Sequence, residues 1–394
     1  MARLTTVHVS TQRTWHGGEE QAALLVRGLE SRGHRAVIFA RRGGQFALRM
    51  AEAGHEVRTF AGRGRSPRAL WNMRRWLGAL RPDVLHLHDS HALGSCGLAA
   101  WGLPIPARVV ARKVVFPLRS SWCYRHFAQR VIAVSEAVAR ECRQGGVPAE
   151  RICVVHDGVD PLRIASGERQ RGRRAIGAGE RDLVLLTVAS LTAPKGHTTL
   201  LDALPTILVR HPQVRLVWAG DGPLRAELQT QAEKLRIAGA VQMLGHRSDV
   251  PDLLRAADLL VAPSHAEGLC STLIDAMFAG VPIVTTTAGG IPELVGALQP
   301  NGGASEASPV AVMTQPGDAA ALAAAILHAI DTPHEMQALA AAAHERAREH
   351  FTADRMVAQT LRVYEGLLST GSAFPRLHAH LAESRSAVAE RRTA

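Results

Sequence analysis

The stretch HAEGLCSTLID, residues 265–275, joins the strand-like run Leu259 to Pro263 to an apolar helical segment, and two carboxylates, Glu267 and Asp275, bracket it. In an open α/β sheet, ligands bind beyond the carboxyl ends of the strands, where loops lead into helix N-termini. The pattern places Glu267 on such a loop and Asp275 about one turn into the next helix. The unpaired amides near Leu269, Cys270, Ser271 and Thr272 then point into a cleft, a position suited to phosphate oxygens. Eight mostly helical steps would separate the carboxylates by about 12 Å. That span matches a sugar ring, a diphosphate and a ribose, with Glu267 taking sugar hydroxyls, Asp275 ribose hydroxyls, and Gly268 to Thr272 the phosphates between.

Outward from this junction the chain repeats one pattern. Short apolar runs (VHVS, AVIFA, VLHLH, RVVAR, VIAVS, ICVVH) alternate with amphipathic stretches in the first half, which reads as a doubly wound parallel sheet. Residues 158–181, rich in Gly and Arg and without apolar period, read as a linker. The pattern restarts with LVLLTVA, VRLVWAG, VQMLG, LLVAPS and PIVTT. We expect an α/β protein of two Rossmann-like domains facing a cleft, over 1–165 and 180–350. Helical stretches are expected at about 317–330, 334–349 and 353–369. The last lies in a segment, 351–370, expected to cross back to the first domain, and residues 371–394 read as a loose tail.

The 394 residues with 46% apolar content suffice for two cores. Five cysteines are scattered, odd in number and without CxxC spacing, arguing against a disulfide framework or a zinc site and for a reducing cytoplasm. No leader and no run of about 18 apolar residues appears, so neither export nor a membrane span is expected. Net charge is +11 and sits in the first half: residues 1–160 carry 24 basic and 12 acidic side chains, residues 161–394 carry 22 and 23. Only two tyrosines and no aromatic-interleaved recognition motif accompany that charge, so nucleic acid is not an expected partner.

EGLCSTLIDAMFAGVPIVTTTAGGIPELV resembles the signature of the retaining glycosyltransferases of family 4, of GT-B fold and bacterial envelope-glycan type: Glu-x7-Glu, then Ala-Met, Gly-x-Pro and Gly-Gly-x-x-Glu. WHGGEEQAALLVRGLESRGH is similar to that family's opening Gly-Gly loop and helix, and AGDGPLRAEL and GHRSDVPDLLRAADLLVAPS to its nucleotide-side loops. The resemblance implies a catalytic role for Glu267 and Lys195, and donor binding by Asp275, Gly268 to Thr272, Ser190, Gly17 and Gly18. Three departures stand out. The second glutamate is Asp275, one methylene shorter. Ala189-Ser190 replaces the usual Gly-Arg, leaving Lys195 alone on the diphosphate. VVARKVVFP replaces a His-Asp-like element and offers Arg112 and Lys113 as compensating cations or acceptor contacts.

Residue chemistry adds weaker candidates. Gly17 and Gly18 precede a helix and let a ligand approach backbone amides, with His16 beside them; the plainer reading is a tight turn. No GxGxxG follows the first strand, which disfavours a nicotinamide enzyme. In HLHDSH, His86 and His88 share a strand face, but a strand-end cluster with His88 near substrate outweighs a metal site, and no metal is assigned. In SPRALWNMRRWLGAL, Ser66 caps a helix begun by Pro67; Leu70, Met73, Leu77 and Leu80 share one face, with Arg68, Trp71 and Arg75 opposite. That basic face suits either solvent or an anionic membrane.

The expected activity is transfer of a sugar from a nucleoside diphosphate donor, a UDP- or GDP-sugar, to a glycan or lipid-linked acceptor without a cofactor, on the inner side of the cytoplasmic membrane. Lipopolysaccharide is the acceptor class the family suggests. A nucleotide-sugar epimerase or hydrolase, and a non-catalytic basic membrane- or nucleic-acid-binding protein, are the alternatives.

Overall fold

The computed structural model describes residues 3–118, 120–297 and 309–370; the expected loose tail lies outside the described residues. Two parallel sheets carry the chain. The first comprises β1 (Thr5–Ser10), β2 (Arg35–Arg41), β3 (Glu56–Phe60), β4 (Val84–Leu87), β5 (Ala107–Arg112), β6 (Arg130–Ala133) and β7 (Ile152–Val154), ordered β3-β2-β1-β4-β5-β6-β7. The second comprises β8 (Leu183–Val188), β9 (Val214–Ala219), β10 (Val241–Met243), β11 (Leu259–Ala262), β12 (Ile283–Thr286) and β13 (Val312–Thr314), ordered β10-β9-β8-β11-β12-β13. In both, the order reverses beside the first strand of the unit, which opens a crevice at the strands' carboxyl ends.

Strand alternation determines what each face covers. On β4, Leu85 and Leu87 join Val7, Val9, Met73, Leu77 and Leu93 on one side of the sheet. Val84 turns the other way, toward Leu25, Leu29, Met356, Val357, Leu361 and Tyr364. These last four belong to the helix Ala353–Ser369, which therefore packs on the first sheet's layer and on the helix Gly17–Glu30 although it ends the described chain.

Two expectations change. The segment read as a linker contains the helices Pro161–Ala165 and Arg169–Ile176. The second is fastened to the helix Val250–Ala256: Arg171 pairs with Asp252, which also accepts the Glu168 amide at 2.8 Å, while Ile176 is buried. Charge pairing replaces apolar periodicity there. The strands β3 and β13 also went unread, because edge strands need no apolar face on both sides; β3 reads EVRTF and only Phe60 is buried.

Candidate active site

Lys195 closes the 3-10 turn Ala193–Lys195 that follows β8, and Gly196 turns the chain into the helix His197–Arg210 with φ +68°. A Cβ on Gly196 would sit 1.9 Å from the Pro263 carbonyl oxygen, so only glycine brings this turn against the end of β11. Lys195 Nζ consequently donates to Glu267 Oε1 at 2.6 Å. Ser264 Oγ donates to the same oxygen at 2.8 Å. Glu267 is buried; burial opposes the Lys195 charge, yet the adjacent carboxylate holds its pKa above the usual lysine value. The two residues expected to do catalysis are thus one part-buried ion pair, in a pocket also lined by Ala189, Ser264, Cys270 and Thr272.

The helix Ser271–Ala279 begins at this pocket, with Cys270 preceding it in the left-handed region at φ 76°. Its N-terminus faces that of Gly17–Glu30: a Cβ on Gly17 would stand 3.3 Å from Ser271 Oγ. His16 precedes that first helix, and its amide donates to Glu19 at 3.2 Å. The His16 pKa is lowered, first by burial and then by the positive fields of Lys195 and His246. Two helix N-termini and an ammonium near one volume are chemically suited to an anion.

The two halves are in contact. Gly268 lies so close to the Lys113 carbonyl oxygen that a Cβ would sit 2.0 Å from it. Ser135 Oγ donates to the Gly268 carbonyl at 2.6 Å. Glu293 accepts the Glu136 amide at 2.7 Å and meets His156 Nε2 at 2.6 Å.

Asp275 lies one turn into its helix, as its spacing implied, but it is not free. Arg163, from the helix Pro161–Ala165, holds Asp275 Oδ1 at 2.6 Å. Burial pushes the Asp275 carboxyl up to about 6, against the pull of Arg163. Nothing in the sequence pointed to Arg163, which sits 112 positions from its partner; His246 and Ser264 lie at the two ends of the stretch GHRSDVPDLLRAADLLVAPS without being singled out in it.

The expected compensating cations are engaged elsewhere. Arg112 is buried in the first half, where it donates to the Phe116 carbonyl and approaches Ser90 Oγ at 3.3 Å and Tyr124 Oη at 3.4 Å. Strand alternation turns it into the helical layer, where it braces the loop after β5. Lys113, near Gly18, pairs with Asp157 at 3.0 Å. Ser190 approaches Thr192 Oγ1 at 3.3 Å and brings no charge.

His86 and His88 do share a face and stack, with ring centroids 4.3 Å apart. With His8 they bring ring nitrogens within 4.8 Å of one another. Thr6 Oγ1 lies 3.0 Å from His8 Nε2, and His8 Nδ1 lies 3.1 Å from His88 Nε2. Both His8 nitrogens are therefore occupied, and burial lowers its pKa to about 3. His86 Nδ1 meets Tyr364 Oη at 2.5 Å. The group is a hydrogen-bonded layer beneath the crossing helix. Asp89, beside it, caps the helix Ser90–Ala99 by accepting the amides of His91 and Ala92.

Comparison with known proteins agrees with this fold. Residues 168–349 match the family described as Glycosyl transferases group 1, and residues 15–163 the one described as Glycosyltransferase Family 4. The chain is 30% identical over 312 residues to the glycogen synthase of Mycobacterium tuberculosis, covering 72% of this chain and 69% of that protein. Against an uncharacterized glycosyltransferase of Methanocaldococcus jannaschii it is 29% identical, covering 56% of this chain and 61% of the relative. A crystal structure of Anabaena Alr3699/HepE in complex with UDP and glucose superposes with a TM-score of 0.81 at 21% identity, covering 92% of this chain and 100% of that one. That of WaaG, a glycosyltransferase involved in lipopolysaccharide biosynthesis, gives 0.68 at 17% identity, covering 92% and 100%. The two-sheet GT-B fold is common to them.

Proposed function

The chain belongs to the family 4 glycosyltransferases, enzymes of GT-B fold, and on that premise we propose that it moves a sugar from a UDP- or GDP-sugar to a glycan or lipid-linked acceptor with retention of anomeric configuration. The observation that carries the donor reading is the convergence of the Gly17 and Ser271 helix N-termini on the Lys195–Glu267 pair. In this reading Lys195 and the amides of Leu269 to Thr272 stabilise the departing diphosphate, the principal electrostatic contribution. Gly17, Gly18 and His16 approach from the opposite wall. Glu267 orients the sugar hydroxyls and Asp275 the ribose. Fixed amides and an ammonium perform the charge neutralisation for which a metal would otherwise serve, so none is assigned.

Retention requires the acceptor oxygen to bond the anomeric carbon on the face the diphosphate leaves. The hydroxyl proton then passes to the departing phosphate oxygen, with no need for Glu267, already paired, to act as base. The complex of HepE with UDP supports uracil as the first base to test. The role of WaaG in lipopolysaccharide biosynthesis supports an envelope glycan as the acceptor class, and we place the reaction at the inner membrane face. For membrane contact, Trp71 is 59% exposed with the Arg75 guanidinium 5.0 Å from its ring centre, on the helix Pro67–Leu80; no described helix is long and apolar enough to cross a bilayer.

The test is incubation with labelled UDP- and GDP-hexoses and a bacterial envelope lipid and glycan extract. Transfer of label into a product with the donor's anomeric configuration is expected. Donor consumption without any glycosidic product would replace transfer by hydrolysis or epimerisation, and an inverted product would overturn retention.

A further inference from the structure

A nucleoside diphosphate brings at least two negative charges into the cleft and develops more as its bond to the sugar breaks. Lys195 answers only part of this, because Glu267 at 2.6 Å already neutralises it. Three other cations on this side of the described residues are engaged: Lys113 with Asp157, Arg247 with Asp249, and Arg112 inside the first half. Arg163 differs from them. A single nitrogen, Nη2, contacts Asp275 Oδ1, and its side chain is 38% exposed while Asp275 is 14% exposed. A guanidinium offers five N–H donors in a fixed plane, so this contact leaves several for a second anion.

The position suits such an anion. Asp275 is four residues beyond Ser271, about 6 Å along the helix axis from the N-terminus that faces Gly17. A group on Asp275 therefore stands within one side chain's swing of the phosphates held at that terminus. It also comes from the segment joining the two sheets, so it reaches the donor from a wall that neither Lys195 nor the Gly17 loop occupies.

Building on the donor reading above, we propose that Arg163 is the second phosphate-binding cation of this enzyme, paired with Asp275 and bridging that carboxylate and the nucleoside diphosphate when the donor is bound. Asp275 keeps its other oxygen for the ribose hydroxyls. Arg163 thus supplies the charge that Ser190 does not.

The experiment is calorimetric titration of the wild type, Arg163→Ala and Arg163→Lys with UDP and uridine, and with GDP and guanosine, at pH 8, above the Asp275 pKa. One charged hydrogen-bond contact corresponds to roughly a tenfold to hundredfold change in affinity. Arg163→Ala is expected to weaken the diphosphate by about that factor while moving the nucleoside by less than about threefold, with Arg163→Lys recovering part of the loss. Equal weakening of nucleoside and diphosphate would reduce Arg163 to a brace for Asp275 and overturn the proposal. Tighter diphosphate binding by Arg163→Ala would make it a competitor and overturn it too. Failure of the wild type to bind either diphosphate would remove the donor reading, and the proposal with it.

Discussion

Glu293 and His156 meet at 2.6 Å across the boundary between the two halves, one on the short helix after β12 and the other just past the end of β7. The second Glu293 oxygen accepts the Glu136 amide at the start of the helix Glu136–Gln144, so one buried carboxylate fastens the second half to two elements of the first.

Closure should therefore depend on Glu293. Replacing it with alanine leaves the Glu136 amide and His156 without their charged partner, at a cost of about 1.5–3 kcal/mol for hydrogen bonds of this kind. Small-angle scattering should show a larger radius of gyration for Glu293→Ala, and turnover should fall with it. An unchanged radius would mean that the Gly268 contacts alone hold the halves together.

Asp275 makes stability depend on pH. Its folded pKa, about 6, exceeds the usual aspartate value of 3.8, because burial penalises the charge more than Arg163 rewards it. The folded chain therefore binds this proton more tightly than the unfolded chain, and the group's contribution to stability falls as pH rises from about 4 to about 6. Relative to Asp275→Asn, the wild type should gain unfolding free energy as pH drops through that window. A difference independent of pH would show that Arg163 compensates the burial fully.

Cys270 stores strain that glycine would release. An L-residue in the left-handed region costs about 1–2 kcal/mol, and Cys270 sits at φ 76° at the entry to the helix Ser271–Ala279. Cys270→Gly should raise the melting temperature, and Cys270→Val, with a branched Cβ, should lower it. A fall in both would mean that thiol packing beside Glu267 outweighs the backbone term.

Removing the ammonium should damage chemistry more than folding. Lys195→Ala is expected to lower kcat by about 100- to 1,000-fold, the scale of one lost stabiliser of developing charge. Because Lys195 and Glu267 act as a pair, the double variant should lose much less than the product of the two single losses. Multiplicative losses would separate their roles.

The legibility of the sequence followed how locally each feature is determined. Central strands such as β4 and β11 are covered on both faces and read as apolar runs, and the junction 265–275 placed Glu267 and Asp275 on their loop and helix without any long-range information. The Lys195–Glu267 pair was half visible: both residues stood out, but their contact depends on the packing of Gly196 against Pro263, which spacing does not encode. Arg163 was hidden because its partner lies 112 positions away, and Glu293, visible as the last residue of the Gly-Gly-x-x-Glu continuation, gave no sign of its contacts with His156 and Glu136 across the boundary between halves. For Arg112, a strand end shows that a cation is present, while the direction it takes depends on strand phase and on the loop it braces. The helices within 158–181 were missed because arginine–aspartate pairs, rather than an apolar stripe, hold them in place.

The central claim is that two carboxylates divide the donor between them. It is tested most directly by calorimetric titration of the wild type, Glu267→Ala and Asp275→Ala with UDP and with the matching UDP-sugar at pH 8. The account predicts that Asp275→Ala weakens both ligands alike, whereas Glu267→Ala weakens only the UDP-sugar and leaves UDP within about threefold, since it loses contacts to the sugar hydroxyls alone. If Glu267→Ala weakened UDP as much as the UDP-sugar, or Asp275→Ala left both untouched, the division of the donor between Glu267 and Asp275 would be contradicted.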